Sequence, residues 1–371
     1  MIKYSRPLRI NLPGYSRKND MNNAKNTKAA VLFFFIAIAV IVLIMIASRR
    51  NSLLAYELRF PFNNGVAELS SNSDSIAAAC QDGKFYVWEW SNLVAKPQVL
   101  TLDSDQAFLT NAGLVISLKR FRPNAIVITD IRNQQHKNIS LKTDINRTLM
   151  GASRDKNYVV ASLGRLVGNN GSTENYQLVT VDPNLGRVET VAEINPSSAT
   201  RLFGLAVSDD GSLALMAGEQ DKKGWIVLVD VKNRKVIWEK QVTDVERFHS
   251  GAFSPDGKIV YARGSDCNIR KIETLSGKIT GYLKPSFEEK KSSVKDGAVQ
   301  ETVVSPNGRI VGSIVFRSLY MWDTQTGKII LNMAPGHKIE SGLVFSPDGK
   351  LAATSALRQG GTIRIWRVPE R

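Results

Sequence analysis

The chain has 371 residues, 43% of them hydrophobic and 22% charged, and a formal net charge of +15 at neutral pH. Two cysteines, Cys80 and Cys267, exclude a disulfide framework. Nine basic residues against one acidic in the first fifty supply +8 of the charge, so the basicity is no signature of nucleic-acid binding.

In chain order, residues 1–28 are basic and Asn-rich, with Lys3, Arg6, Arg9, Arg17, Lys18, Lys25 and Lys28 against Asp20. They lack apolar periodicity, which predicts a disordered tail. Residues 29–47, AAVLFFFIAIAVIVLIMIA, carry no charge. At about 1.5 Å per residue they span roughly 28 Å, the hydrocarbon thickness of a bilayer, and a transmembrane helix over 29–48 is expected. The apolar run exceeds a secretory signal core and Ile46-Ala47-Ser48-Arg49 is a poor cleavage site, which favours an uncleaved anchor. The alternative is a cleaved signal starting at Met21. Seven basic residues before the helix, against Arg49, Arg50 and Arg59 after it, put the amino end in the cytoplasm and the rest outside. The inverted, cytoplasm-facing topology is the alternative. A linker, 49–52, follows.

From residue 53 the pattern changes to short β-branched runs punctuated by Gly, Pro, Asp and Ser, which reads as strands and turns. The clearest unit is FHSGAFSPDGKIVYARGSDCNIRKIETLSGKI, 248–279, with a tight turn at Ser254-Pro255-Asp256-Gly257. Its opening turn recurs at Ser71, Thr110, Ser153, Ser208, Ser254, Ser305 and Ser346, at spacings of 39 to 55 residues. Four strands at that period form a propeller blade, and the recurrence predicts an all-β, seven-bladed β-propeller over 53–371, preceded by one transmembrane helix.

The units VVSPNGRIVGSIVFRSLYMWDTQTGKII from Val303 and LVFSPDGKLAATSALRQGGTIRIWRV from Leu343 resemble the WD-repeat propellers. Trp322-Asp323 keeps the dipeptide that names that family, with Trp88-Glu89 and Trp366-Arg367 as relics, and Gly336-His337 precedes the last blade. The family's Asp-His-Ser/Thr-Trp set is complete in no single blade, so cohesion through apolar sheet faces more than buried polar networks is expected. The resemblance further implies that strand 53–60 completes the last blade, which removes an open sheet edge. It also implies that the Ser-Pro-Asp-Gly turns face the membrane and the second-to-third strand turns face away.

Those outward turns hold Lys84, Lys119, Arg120, Arg122, Arg165, Lys222, Lys223, Arg263, Arg317 and Arg358, beside the acids Asp82, Glu174, Glu219, Asp221 and Asp266. Lys119, Arg120, Arg122, Lys222, Lys223, Arg263, Arg317 and Arg358 are the candidate partner-binding residues, because converging cations recruit acidic protein segments or an anionic polymer. Solvated turns, where Lys and Arg are common, are the plain alternative. Two insertions stand out: 164–177, expected as a flexible Gly/Asn loop, and the charged segment 284–297.

No catalytic, cofactor or metal motif is present. His136, His249 and His337 lack metal-ligand spacing, and there is no nucleophile elbow or phosphate-binding loop. Trp88, Trp90, Trp225, Trp238, Trp322 and Trp366 fall in strand runs that blade packing explains; a sugar platform would need them exposed. Asn138, Asn146 and Asn170 begin sequons that matter only in a secretory lumen. The resulting expectation is a membrane-tethered, non-catalytic scaffold for partner proteins. A propeller that binds or processes glycan or cell-envelope polymer is the alternative.

Overall fold

A computed structural model describes residues 53–369 except 60–64, 81, 103, 105, 119–124, 142–144, 146, 154–157, 168–171, 183, 197–199, 287–300, 316–317, 334–339 and 357–361. Among the described residues no helix is long and apolar enough to cross a membrane; the apolar run 29–47 lies outside them.

Strand β1 (Leu54–Arg59) precedes the first repeat. Blade 1 comprises β2 (Val66–Ser71), β3 (Ser75–Cys80), β4 (Lys84–Glu89) and β5 (Gln98–Thr101). Blade 2 comprises β6 (Gln106–Leu109), β7 (Leu114–Leu118), β8 (Ala125–Asp130) and β9 (His136–Ser140). Blade 3 follows with β10 (Arg147–Ala152), β11 (Val159–Val167), β12 (Ser172–Asp182) and β13 (Arg187–Ile194). Blade 4 holds β14 (Thr200–Val207), β15 (Leu213–Gln220), β16 (Lys223–Asp230) and β17 (Lys235–Val242). Blade 5 holds β18 (Phe248–Phe253), β19 (Ile259–Gly264), β20 (Ile269–Glu273) and β21 (Ile279–Leu283). Blade 6 is β22 (Thr302–Val304), β23 (Ile310–Val315), β24 (Ser318–Asp323) and β25 (Ile329–Met333). Blade 7 is β26 (Glu340–Phe345), β27 (Leu351–Ala356) and β28 (Thr362–Arg367), with β1 antiparallel to β28 as its fourth strand.

The first strands touch in a closed circuit, β2 to β6, β10, β14, β18, β22, β26 and back to β2, so the sheets form a seven-bladed propeller. Middle strands are covered on both faces and read as continuous buried runs, as in β16, KGWIVLVD. Outer strands are polar and exposed, as in β9, HKNIS, which discourages pairing at the open edge. The core is accordingly divided among the blade interfaces. One cluster, for example, joins Val66, Leu69 and Ile76 of blade 1 to Ala353, Ile363 and Ile365 of blade 7.

The recurring turn is closed by its own side chains. In blade 5 the Ser254 hydroxyl donates to the Asp256 carboxylate at 2.6 Å and accepts the Ile259 N–H at 3.0 Å, while Asp256 accepts the Lys258 N–H at 3.1 Å. Gly257 completes it at φ +67°, a conformation disfavoured for residues with a Cβ. Ser208-Asp210, Ser305-Asn307 and Ser346-Asp348 repeat this arrangement. Hydrogen bonds from Ser254 and Ser208 hold the Asp256 and Asp210 carboxyls below their usual pKa.

One expectation is corrected in part. Much of the stretch 164–177 is strand rather than loop: β11 runs to Val167 and β12 starts at Ser172, pairing Gly164 with Tyr176 and Val167 with Ser172, while 168–171 lie outside the described residues. The ladder includes the Leu166 to Thr173 pair, and Thr173 then pairs with Thr200 of blade 4. Polar clasps also cross the apolar interfaces. Gln106 of blade 2 donates to the Thr148 carbonyl and accepts the Met150 N–H of blade 3. The Tyr176 hydroxyl spans to Thr200 and Leu202, Ser250 to Thr302, and Glu301 to the Leu343 N–H.

Candidate interaction surface

In an antiparallel meander the second-to-third strand turns and the connections between blades share one end, opposite the Ser-Pro-Asp-Gly turns. Lys222 and Lys223 lie here. Gln220 pairs with Lys223, and Asp221 and Lys222 form the two-residue link at φ +50° and +60°, the backbone of a type I′ hairpin. Both lysines are exposed on a short, stiff support.

Arg263 is placed differently. It belongs to β19, opposite Ser250 of β18 and Ile269 of β20, and is only 1% exposed. The turn proper begins beyond it, where Gly264 bonds with Asn268 and Cys267. A position just short of the turn puts its side chain inside the blade packing, so Arg263 does not offer its charge to solvent. Lys119, Arg120, Arg122, Arg317 and Arg358 lie outside the described residues, so Lys222 and Lys223 are the candidates the fold brings together on the surface.

The main electrostatic feature at this end went unnoticed in the sequence. Arg270 of β20 is fully buried and donates to both oxygens of Asp266 at 3.1 Å, and it pairs with Asp244, from the blade 4 to blade 5 connection, at 3.1 Å. Its guanidinium also lies 5.4 Å from the Phe248 ring centroid and 5.6 Å from that of Tyr282. Burial opposes the charge, but the Asp266 bonds and both carboxylate fields outweigh it and raise the pKa. Nearby, Arg247 pairs with Glu219 at 3.4 Å and covers Phe203, which meets His249 at 5.8 Å. Phe203 and His249 each occupy a register shift in an innermost strand, where a bulge re-aims the side chain. Register shifts are not visible in residue types, and Arg270 sits in an ordinary alternating run.

The indoles serve packing. Trp225, Trp322 and Trp366 are fully buried, and their Nε1 groups donate to Glu239, the Lys284 carbonyl and Thr354. Half-buried Trp90 and Trp238 donate to Ser71 and the Thr274 carbonyl. Asp323, beside Trp322, is buried and caps the turn before β25 by accepting the Gln325 and Thr326 N–H groups. His136 and His249 stand in different blades, and His337 lies outside the described residues. Among the described residues no cluster of three or more His, Cys, Asp or Glu is placed to hold a metal ion. Cys80 and Cys267 are buried free thiols, and burial pushes the Cys80 thiol up to about 12.

Comparison with known proteins agrees with this geometry. Residues 328–367, from the β25 hairpin through β28, match the WD domain, G-beta repeat family. An uncharacterized WD repeat-containing protein of Synechocystis sp. is 27% identical over 162 residues, which span 42% of this chain and 41% of that protein. The Trp366 to Thr354 hydrogen bond lies inside the family match, with the turn-capping Asp323 just before it, and seven four-stranded units close into a ring; the chain is a seven-bladed β-propeller that resembles the WD-repeat proteins.

Proposed function

We infer that this propeller is a non-catalytic scaffold that binds partner proteins, tethered to a membrane through residues 29–47 with the ring outside the cytoplasm. The observation that carries the reading is the rigid display of turns at one end of blades 4 and 5. Asp221 and Lys222 sit in a two-residue hairpin turn, and Arg270 ties the blade connection at Asp244 to the turn at Asp266. A stiff scaffold that holds short polar turns in fixed relation suits recognition, because little ordering entropy remains to be lost on binding. The exposed lysine pair favours an acidic segment as the bound element.

Affinity capture with crosslinking of the intact protein from its membrane, beside a variant with Lys119, Arg120, Lys222, Lys223, Arg317 and Arg358 changed to Glu, tests this. A discrete set of proteins held by the wild type and lost from the variant is expected. Capture unaffected by charge reversal and by salt would refute the basic-face assignment. Protease protection in sealed vesicles tests the topology: the ring should be shielded or cleaved according to the non-cytoplasmic side.

A further inference from the structure

The end bearing the Ser-Pro-Asp-Gly turns also bears the turns between third and fourth strands, since both lie at one end of each meander. Strand β1 starts there as well, with Leu54 opposite Trp366 near the end of β28. Three of these turns present an aliphatic side chain to solvent: Val94 of blade 1 at 81% exposure, Leu185 of blade 3 at 57% and Leu275 of blade 5 at 71%. Each is followed within three residues by an exposed cation: Lys96, Arg187 and Lys278 respectively.

Two of the tips are braced from the preceding blade. The Lys137 ammonium of β9 donates to the Leu185 carbonyl at 3.0 Å, and that of Lys240 in β17 donates to the Ser276 carbonyl at 2.7 Å. Gly186 and Gly277, at φ +60° and +63°, leave room for these lysines; a Cβ at either would run into them. A single exposed aliphatic residue is ordinary. Three on one end, each beside a cation and two held in place by the neighbouring blade, form a surface that can set aliphatic tips into a lipid interface while cations meet headgroup phosphates. The turn aspartates on this end, Asp210, Asp256 and Asp348, are engaged by N–H groups of their own turns.

We propose that this end of the propeller rests on an anionic lipid surface, with Val94, Leu185 and Leu275 as the tips that enter the interface. The proposal rests on the membrane-tethered reading above and adds to it the face that meets the lipid.

The test places the full chain in vesicles of phosphatidylglycerol and phosphatidylcholine, or of phosphatidylcholine alone, at low protein-to-lipid ratio. Single variants Val94→Cys, Leu185→Cys, Leu275→Cys and, at the opposite end, Glu246→Cys carry an environment-sensitive fluorophore; the native thiols are buried. Quenching by nitroxide-bearing lipid is expected at the three tips, more strongly in anionic vesicles, and not at position 246. Tips quenched no more than position 246 would overturn the proposal, as would shielding that follows protein rather than lipid concentration, which would assign the face to a second copy. Carbonate extraction of the same samples reports the anchor separately. A chain that is extracted yet quenched at the tips refutes the tether and keeps the face; one that resists extraction without quenching does the reverse.

Discussion

Arg364 of β28 donates through Nε to Oε2 of Glu57 in β1 at 3.0 Å, a link between positions 307 residues apart. Burial pushes the Glu57 carboxyl up, but the bonds from Arg364 and Arg59 outweigh it and hold the pKa below its usual value. A carboxyl depressed in the folded state stabilises above its unfolded pKa, about 4.3, and that contribution is lost as pH falls through the folded value. Glu57→Gln should therefore lower stability at pH 7 by roughly 0.5 kcal/mol, a size set by partial solvent screening. The deficit should vanish in acid. Thermal melts of both proteins across the acid range check this, and a deficit independent of pH would exclude the ion pair as its source.

Gly204 of β14 faces the backbone of β18, where an added Cβ would stand 2.8 Å from the His249 carbonyl oxygen and 2.9 Å from Ser250 Cα. Because neither neighbour is a flexible side-chain end, Gly204→Ala should destabilise by about 1–3 kcal/mol. At Gly281 a Cβ would meet nothing within 4 Å, and Gly281→Ala should be nearly neutral. Denaturant midpoints for the pair separate close blade approach from a general glycine effect.

Gln106 is 1% exposed and uses both ends of its amide on blade 3. Gln106→Ala removes the acceptor of the Met150 N–H, and leaving such a group unsatisfied costs about 1–3 kcal/mol. Amide hydrogen exchange should show the Met150 N–H losing protection ahead of the outer strands. Unchanged protection at Met150 would count against the clasp.

Arg270→Leu should be strongly destabilising, by about 3 kcal/mol, because Asp244 and Asp266 lose their shared counter-charge. Arg270→Lys should recover only part of this, since one ammonium cannot reproduce the two-pronged bond to Asp266. Urea unfolding of the three proteins gives the ranking; equal stability of Arg270→Leu and wild type would show that apolar packing alone holds this seam.

The strand and turn plan was legible because its determinants are local. Ser254, Asp256 and Gly257 close a turn through bonds that reach no further than Ile259, so the motif announces itself in six residues. The degenerate units beginning near Thr110 and Ser153 form complete blades all the same, because Thr110 and Ser153 accept the Leu114 and Tyr158 N–H groups as Ser254 does for Ile259. The strand ends within 164–177 read as loop because Gly and Asn signal loops, whereas pairing across β11 and β12 extends to Val167 and Ser172.

Length, period and turn chemistry in the sequence alone determined an all-β ring of seven blades, because a blade's turns and alternation are written within each unit. Which cations face solvent was decided by tertiary structure. Lys222 and Arg263 both sit next to second-to-third strand turns, yet the first caps a two-residue hairpin in water and the second lies a residue short of its turn, packed inside the blades. Burial depends on how closely the neighbouring blade approaches and on the bulges that shift strand register, and neither is written in the local run of residue types.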